Sequence, residues 1–172
     1  LFTMSHGVNR GILKENKTDQ RYPFISKLLE KNPNIVFDIY GYKNRQPIWS
    51  EDFYNIIQQS KMGLNLSRTN SVKYYTSNRI SSLIGNGLMT FVDIKTQLND
   101  FFDENEVVFY KNVDDLSRKL NYFKNNDYSR KKIARKGQKK YFNYFNSCIV
   151  TEYMISKIFG FDQKNKKVWM DN

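Results

Sequence analysis

The sequence predicts an α/β domain: a doubly wound, mainly parallel sheet with helices on both faces and extra C-terminal helices. Short apolar segments alternate with amphipathic helical segments, and the short segments are nearly continuous apolar runs, as strands buried on both faces require. The chain has 172 residues, of which 40% are hydrophobic, enough for one domain with its own core. We therefore expect a single domain over residues 1–172, with basic helices from residues 127–172 packed on it.

The predicted strands are rich in β-branched and aromatic residues and stop at glycine or polar residues. The run Asn-Ile-Val-Phe-Asp-Ile-Tyr, which ends at Gly41, shows this composition most clearly. The predicted strands span residues 1–5, 34–40, 62–66, 88–92 and 106–110.

The predicted helices rest on apolar residues three and four apart and on signals at the helix ends. Glu51 and Asp52, after Ser50, lie where a helix dipole favours negative charge. Ser77 is the predicted N-cap of a helix that closes on the glycines at 85 and 87. The predicted helices span residues 24–31, 50–57, 78–84, 97–102, 113–123, 129–145 and 148–159.

The positive charge is concentrated near the C-terminus. The net charge is +11, and residues 111–172 carry 15 basic and 6 acidic side chains. Coding bias explains this about as well as attraction to an anionic partner, which would be a phosphate-bearing ligand, a lipid surface or nucleic acid. The longest uncharged run, between Arg79 and Asp93, is too short for a transmembrane helix.

Several kinds of chemistry are disfavoured by composition. The chain has one histidine, His6, and one cysteine, Cys148, so it cannot assemble a zinc cluster or a disulfide framework. Cys148 falls on an apolar helix stripe and is predicted to lie in the core. There is no Asp-x-Asp motif. We predict no metal and no cofactor, and assign no catalytic residue.

Phosphate binding is the chemistry that the loops favour. In a parallel sheet ligands bind at the carboxyl ends of the strands, which points to residues 5–11, 41–45, 67–77 and 93–96. The first of these loops has glycines at 7 and 11, which let backbone N–H groups approach an anion. Arg68, Tyr75, Ser77 and Arg79 would bring hydroxyl and guanidinium groups together.

From residue 62 to residue 145 the sequence resembles the C-terminal half of a GT-B glycosyltransferase of the group-1 type found in the CgeB spore-maturation-like family. The resemblance covers about half of the chain and rests on the order and spacing of five segments. These are Met62-Gly-Leu-Asn-Leu66, the stretch from Arg79 through Gly85-Asn-Gly87 to Asp93, Glu106-Val-Val-Phe-Tyr110, Asp114-Asp-Leu116, and Ile133-Ala-Arg-Lys-Gly137.

This resemblance implies the half that binds a nucleotide-sugar, in an enzyme that transfers the sugar to a glycan or lipid-linked acceptor without a metal. The acceptor site would lie on a separate N-terminal domain, so the chain alone should not turn over. Ser82 stands where many relatives place a glutamate. The residues expected to bind the sugar donor are Gly7, Asn9, Arg10, Arg68, Tyr75, Ser77, Asn78, Arg79, Ser82 and Glu106.

Two other interpretations remain open. One is a nucleic-acid-binding α/β module that uses the basic C-terminal helices, although no RRM or KH signature is present. The other is a degenerate, non-catalytic relative that serves as a scaffold, which Ser82 allows. We expect a cytoplasmic protein, with contact at the inner face of the membrane through the basic helices as a further option.

Overall fold

The computed structural model describes residues 1–4, 18–68 and 72–161. It confirms a mixed α/β fold with parallel strands. The strands are β1 (Phe2–Thr3), β2 (Ile39–Tyr40), β3 (Met62–Asn65), β4 (Met89–Asp93) and β5 (Val108–Tyr110). The helices are α1 (Arg21–Lys31), α2 (Ser50–Gln59), α3 (Arg79–Gly85), α4 (Val113–Asn125), α5 (Asp127–Tyr144) and α6 (Ser147–Phe159).

The strands form one parallel surface. β3, β4 and β5 pair in that order, with Phe91 of β4 beside both Leu64 and Val108, and β1 pairs with β2. Leu1 joins the two groups: its carbonyl accepts from the Leu64 N–H at 3.0 Å and its nitrogen donates to the Met62 carbonyl at 2.8 Å. The resulting strand order is β2-β1-β3-β4-β5, so the direction of chain progression reverses between β1 and β3.

Helices cover both faces of this sheet. Side chains alternate along β4 and β5, so Phe91 and Val108 face one apolar cluster and Val92 and Phe109 face another. The first cluster is completed by α1 and α4, and the second by α3 and the aromatic end of α5. This alternation keeps both faces dry and leaves the strand ends as the accessible edges.

The predicted strand over residues 34–40 shortens to Ile39–Tyr40. The residues before it turn instead: the Ile35 N–H donates to the Asn32 carbonyl at 3.1 Å, and Val36 is 90% exposed. The composition of this segment is strand-like, but its neighbour β1 pairs with it over two residues only.

The helix predicted over residues 97–102 is replaced by two short 3-10 turns, Ile94–Thr96 and Leu98–Asp100. Gln97, between them, has a φ of 57°, a left-handed conformation that interrupts a right-handed helix. The prediction of one continuous helix was therefore wrong.

Two local predictions at helix ends also need correction. Ser77 does not cap α3, since Asn78 holds the N-cap position without a side-chain hydrogen bond. Helix α1 begins at Arg21, three residues before the predicted start, because the Asp19 carboxylate accepts from the Arg21 N–H at 3.0 Å.

The C-terminal helices differ in how they pack. Helix α5 contacts the rest of the fold through Arg130, Ala134 and Gly137, which are buried. None of the residues of α6 is buried, and Cys148 within it is exposed. The prediction that Cys148 lies in the core was wrong, because the helix that carries it has no buried face.

Candidate functional site

A cavity of about 590 Å³ opens at the carboxyl edge of the sheet, and we call it the carboxyl-edge pocket. Its walls come from the last residues of β4 and β5, from the residues that follow β3, β4 and β5, and from the first two turns of α1 and the start of α4. A second cavity, of about 360 Å³, lies at the opposite, amino edge and is lined mainly by apolar side chains. Since open parallel sheets bind ligands outside their carboxyl edge, the first cavity is the candidate site.

The carboxyl-edge pocket is strongly cationic. Asp93 is the acid among its lining residues, which also include polar and apolar side chains. The cations that line it are Arg21, Lys27, Arg68, Lys95 and Lys111. Clefts lined by one sign of charge attract ligands of the opposite sign, so the charge of this lining favours an anion.

Arg21 lines the pocket from the start of α1 and is held by a buried acid. Its Nε donates to Asp19 Oδ1 at 3.0 Å and its Nη2 to Asp19 Oδ2 at 2.6 Å. Arg21 is 6% exposed and Asp19 is fully buried. A two-point pair of this kind fixes the plane of the guanidinium group, and the Asp19 carboxylate offsets its charge, so Arg21 is a fixed part of the pocket wall with little net charge.

Arg79 lies beside this pocket, where the ends of β1 and β3 meet. Its Nε donates to the Thr3 carbonyl at 2.7 Å and its Nη1 to the Leu66 carbonyl at 3.1 Å. The guanidinium also lies 4.8 Å from the centre of the Phe2 ring. Burial, and after it the charge of Arg21, lower the pKa of Arg79 to about 10, which leaves it protonated at neutral pH.

Residues 72–78, which precede Arg79, are tied to the end of β3. The Asn65 side-chain nitrogen donates to Thr76 Oγ1 at 2.9 Å. Tyr75 is 43% exposed, and the Ser77 hydroxyl oxygen is buried without a hydrogen-bond partner in the described structure. None of residues 72–78 lines the pocket, although they adjoin Arg79 in sequence.

The turn that carries Lys111 is fixed by the first residues of α4. Asn112 caps the helix by accepting from the Asp114 and Asp115 N–H groups, and Asp115 Oδ2 accepts from the Lys111 N–H at 3.1 Å. Burial raises the pKa of Asp115, but hydrogen bonds from Lys119 and Arg118 outweigh it and bring the pKa down to about 2. The carboxylate therefore stays charged and keeps the wall of the pocket in place.

Two hydroxyl groups on lining residues lack partners. The Ser67 and Tyr110 oxygens are buried and make no hydrogen bond within the described part of the chain. Tyr110 is 1% exposed, and its ring lies 5.9 Å from that of Phe24, another lining residue. Burial, reinforced by the Asp93 carboxylate, raises the pKa of the Tyr110 phenol.

The structure does not bring all predicted residues to one place. Arg68 lines the carboxyl-edge pocket. Ser82 lies one turn into α3 and donates to the Asn78 carbonyl at 3.3 Å. Glu106 precedes β5, at the amino edge, where it lies 3.7 Å from Lys140 and accepts from the Asp103 N–H. The predicted residues Gly7, Asn9 and Arg10 lie outside the described residues.

Sequence reasoning missed most of the lining cations. Lys111 directly follows β5, which is a signal that the edge rule could have used, whereas Lys95 lies in the loop at residues 93–96 that the edge rule did indicate. Arg21 and Lys27 belong to α1, and nothing in the sequence shows that α1 lies against the ends of β3 and β5. The loop at residues 93–96 was expected near the site and does contribute lining residues.

The sequence model of the glycosyl transferase-like family matches residues 20–154. The chain belongs to the glycosyl transferase-like family. The matched region contains every residue that lines the carboxyl-edge pocket. Neither a curated protein nor a solved structure matches the chain. Membership supports a general role in glycosyl transfer.

Membrane-spanning helices and clusters of metal ligands do not occur among the described residues. No helix within residues 1–4, 18–68 and 72–161 has the length and apolarity needed to cross a membrane. Over the same ranges, no three His, Cys, Asp or Glu side chains gather as metal ligands would. Metal independence nevertheless stays a prediction for this member of the glycosyl transferase-like family, because it concerns the reaction itself.

Proposed function

We propose that this chain is the domain of a GT-B-type glycosyltransferase that binds a nucleotide-sugar, and that the carboxyl-edge pocket holds the diphosphate. The observation that carries the proposal is the position and charge of this pocket: five cations and one acid line a cavity of about 590 Å³ at the carboxyl ends of parallel strands. Family membership supports an anion that takes part in glycosyl transfer.

The proposed chemistry is electrostatic. When the sugar leaves a nucleoside diphosphate, negative charge grows on the leaving phosphate, and fixed positive groups stabilise it without reorganisation. Arg21 is held in the pocket wall by the Asp19 carboxylate, which offsets its charge. Lys27, Lys95 and Lys111 are exposed at the rim and would supply the positive charge that the diphosphate needs.

Metal independence and the identity of the acceptor belong to the same proposal. We propose that cationic side chains replace a divalent metal, that the acceptor is a glycan or a lipid-linked molecule bound by another domain, and that the protein is of the CgeB-like subfamily. We also propose a cytoplasmic location.

Isothermal titration calorimetry with UDP, GDP, ADP, CDP and TDP tests the proposal, in EDTA and in Mg²⁺. We expect saturable binding of one of them, equal in both buffers. Binding only in Mg²⁺ would contradict metal independence. No binding of any nucleoside diphosphate, in either buffer, would overturn the assignment of the pocket.

A matched pair of variants locates the binding site. Lys27→Ala with Lys111→Ala removes two rim charges and should weaken nucleotide binding about tenfold, since a hydrogen bond to a charged group contributes roughly 1.5–3 kcal/mol when buried and less when exposed. The control, Lys132→Ala with Lys136→Ala, removes the same charge from exposed positions on α5 and should leave binding unchanged. Equal weakening by both pairs would mean that only the overall charge matters.

A further inference from the structure

Two residues that line the carboxyl-edge pocket carry unpartnered hydroxyls in the described structure. A buried hydroxyl without a hydrogen bond is destabilising, and most buried polar groups in folded proteins are paired. The Ser67 and Tyr110 oxygens are both buried and unpaired in the described structure, and both residues line the same pocket. Their coincidence in one cavity points to a ligand that supplies the missing acceptor.

The chemistry around Tyr110 indicates what that acceptor is. Because burial raises the pKa of the phenol, the hydroxyl keeps its proton and can donate. The lining cations draw in an anion, and the oxygens of a phosphate accept hydrogen bonds strongly from O–H groups. A phosphate oxygen is therefore the partner that fits both the hydroxyl and its surroundings.

We propose that Tyr110 is a ligand-binding residue whose hydroxyl, together with that of Ser67, donates a hydrogen bond to a phosphate oxygen of the bound nucleoside diphosphate. This rests on the proposed function. Both oxygens are shielded from bulk solvent, so contact requires that the two side chains move when the ligand binds.

The test is Tyr110→Phe, which removes one oxygen and keeps the ring that packs on Phe24. We expect the dissociation constant for the nucleoside diphosphate that binds best to rise about tenfold. We expect the midpoint of thermal unfolding without nucleotide to stay the same or rise, because an unpaired buried hydroxyl is removed. Ser67→Ala should weaken binding in the same direction.

The matched control is Tyr22→Phe. Tyr22 also carries a buried hydroxyl oxygen, but its ring packs on Tyr42 and it does not line the pocket. This variant should bind nucleotide as the original protein does.

The outcomes separate this inference from the proposed function. If the original protein binds no nucleoside diphosphate, the proposed function fails and the inference fails with it. If the original protein binds but Tyr110→Phe binds equally well, the inference alone is overturned. A Tyr110→Phe variant that loses binding and also unfolds several degrees lower would assign the hydroxyl a structural role and overturn the inference as well.

Discussion

At the scale of single residues, Arg79 shows how one side chain can serve both fold and site. Its guanidinium links the carbonyls of Thr3 and Leu66, which end β1 and follow β3. No described carboxylate is among the groups that shift its pKa. Arg79 therefore donates hydrogen bonds to the backbone at the point where strand order reverses. It also adds positive charge beside the carboxyl-edge pocket.

Arg79→Ala should lower the free energy of unfolding by about 2 kcal/mol, because two carbonyl oxygens lose their partner. Urea denaturation measures the change, and nucleotide binding by the variant should weaken as well. Lys95→Ala is the control: it removes an exposed ammonium group from the lining of the pocket and should weaken binding with little loss of stability. An Arg79→Ala variant as stable as the original protein would contradict the structural role.

Asp115 gives a prediction for pH. Its pKa is about 2 in the folded protein against an ordinary 3.8, so its contribution is present above pH 4 and is lost as the pH falls through 2. Asp115→Asn should cost on the order of 1 kcal/mol at pH 7, after allowance for solvent screening, and should flatten the dependence of stability on pH between 4 and 2. Urea denaturation at several pH values checks this. Glu30→Gln, an exposed carboxylate on α1, should leave the profile unchanged.

At the scale of elements, α5 is fixed by a close backbone contact. A Cβ at Gly137 would lie 2.2 Å from the Glu106 carbonyl oxygen, so the helix can approach the segment before β5 only because this residue has no side chain. The same contact keeps the aromatic end of α5 over the second apolar cluster.

Gly137→Ala should therefore destabilise the protein by about 2 kcal/mol, although alanine at an exposed helix position stabilises by about 1 kcal/mol relative to glycine. Thermal unfolding measures the change. Lys136→Ala, one residue earlier and exposed, should be nearly neutral. A stabilised Gly137→Ala variant would show that the helix does not approach this closely.

Helix α6, unlike α5, has no residue buried against the rest of the fold. Its large apolar side chains are exposed, Ile158 by 71% and Phe159 by 66%, and none of its residues is buried. Ile158→Lys should change the free energy of unfolding by less than about 0.5 kcal/mol, as measured by urea denaturation. Leu116→Lys in α4, where the native residue is fully buried, is the contrast and should unfold the protein. A large effect of Ile158→Lys would mean that α6 packs on the core.

At the scale of the whole molecule, the distribution of charge separates the sugar-donor and nucleic-acid interpretations. Exposed cations lie both around the carboxyl-edge pocket and along α5. Nucleic-acid binding that depends on many phosphate contacts falls steeply with salt, whereas a single diphosphate in a shaped pocket releases few ions.

We expect nucleotide binding to weaken less than tenfold between 50 and about 200 mM NaCl, because few phosphates are neutralised. Binding of random oligonucleotides should be weak and should fall by 10³ or more over the same range. Fluorescence anisotropy measures both. Oligonucleotide binding that is tight, and that persists at salt concentrations where nucleotide binding is lost, would favour the nucleic-acid module.

The sequence by itself determined the class of fold and the order of its elements. Residues 88–92 form an apolar run, and a stripe at helical spacing consists of Val113, Leu116, Leu120 and Phe123. Both patterns can be recognised in the sequence, and the structure buries all four of the stripe residues. Sequence patterns predicted less where packing against another segment decides the length of a strand or the burial of a side chain. Residues 34–37 have strand composition but lie outside β2, and Cys148 lies in an apolar helix none of whose residues is buried.

Only the tertiary structure decided which residues share a site. Arg68 and the loop at residues 93–96 could be predicted near the pocket, because the carboxyl ends of parallel strands meet at one edge. Arg21 and Lys27 of α1 join them because of where α1 packs on the sheet. Glu106 lies at the opposite edge, beside Lys140, because it precedes a strand instead of following one. Both placements depend on distances between segments far apart in the chain, whereas periodicity and capping signals act only over a few neighbouring residues.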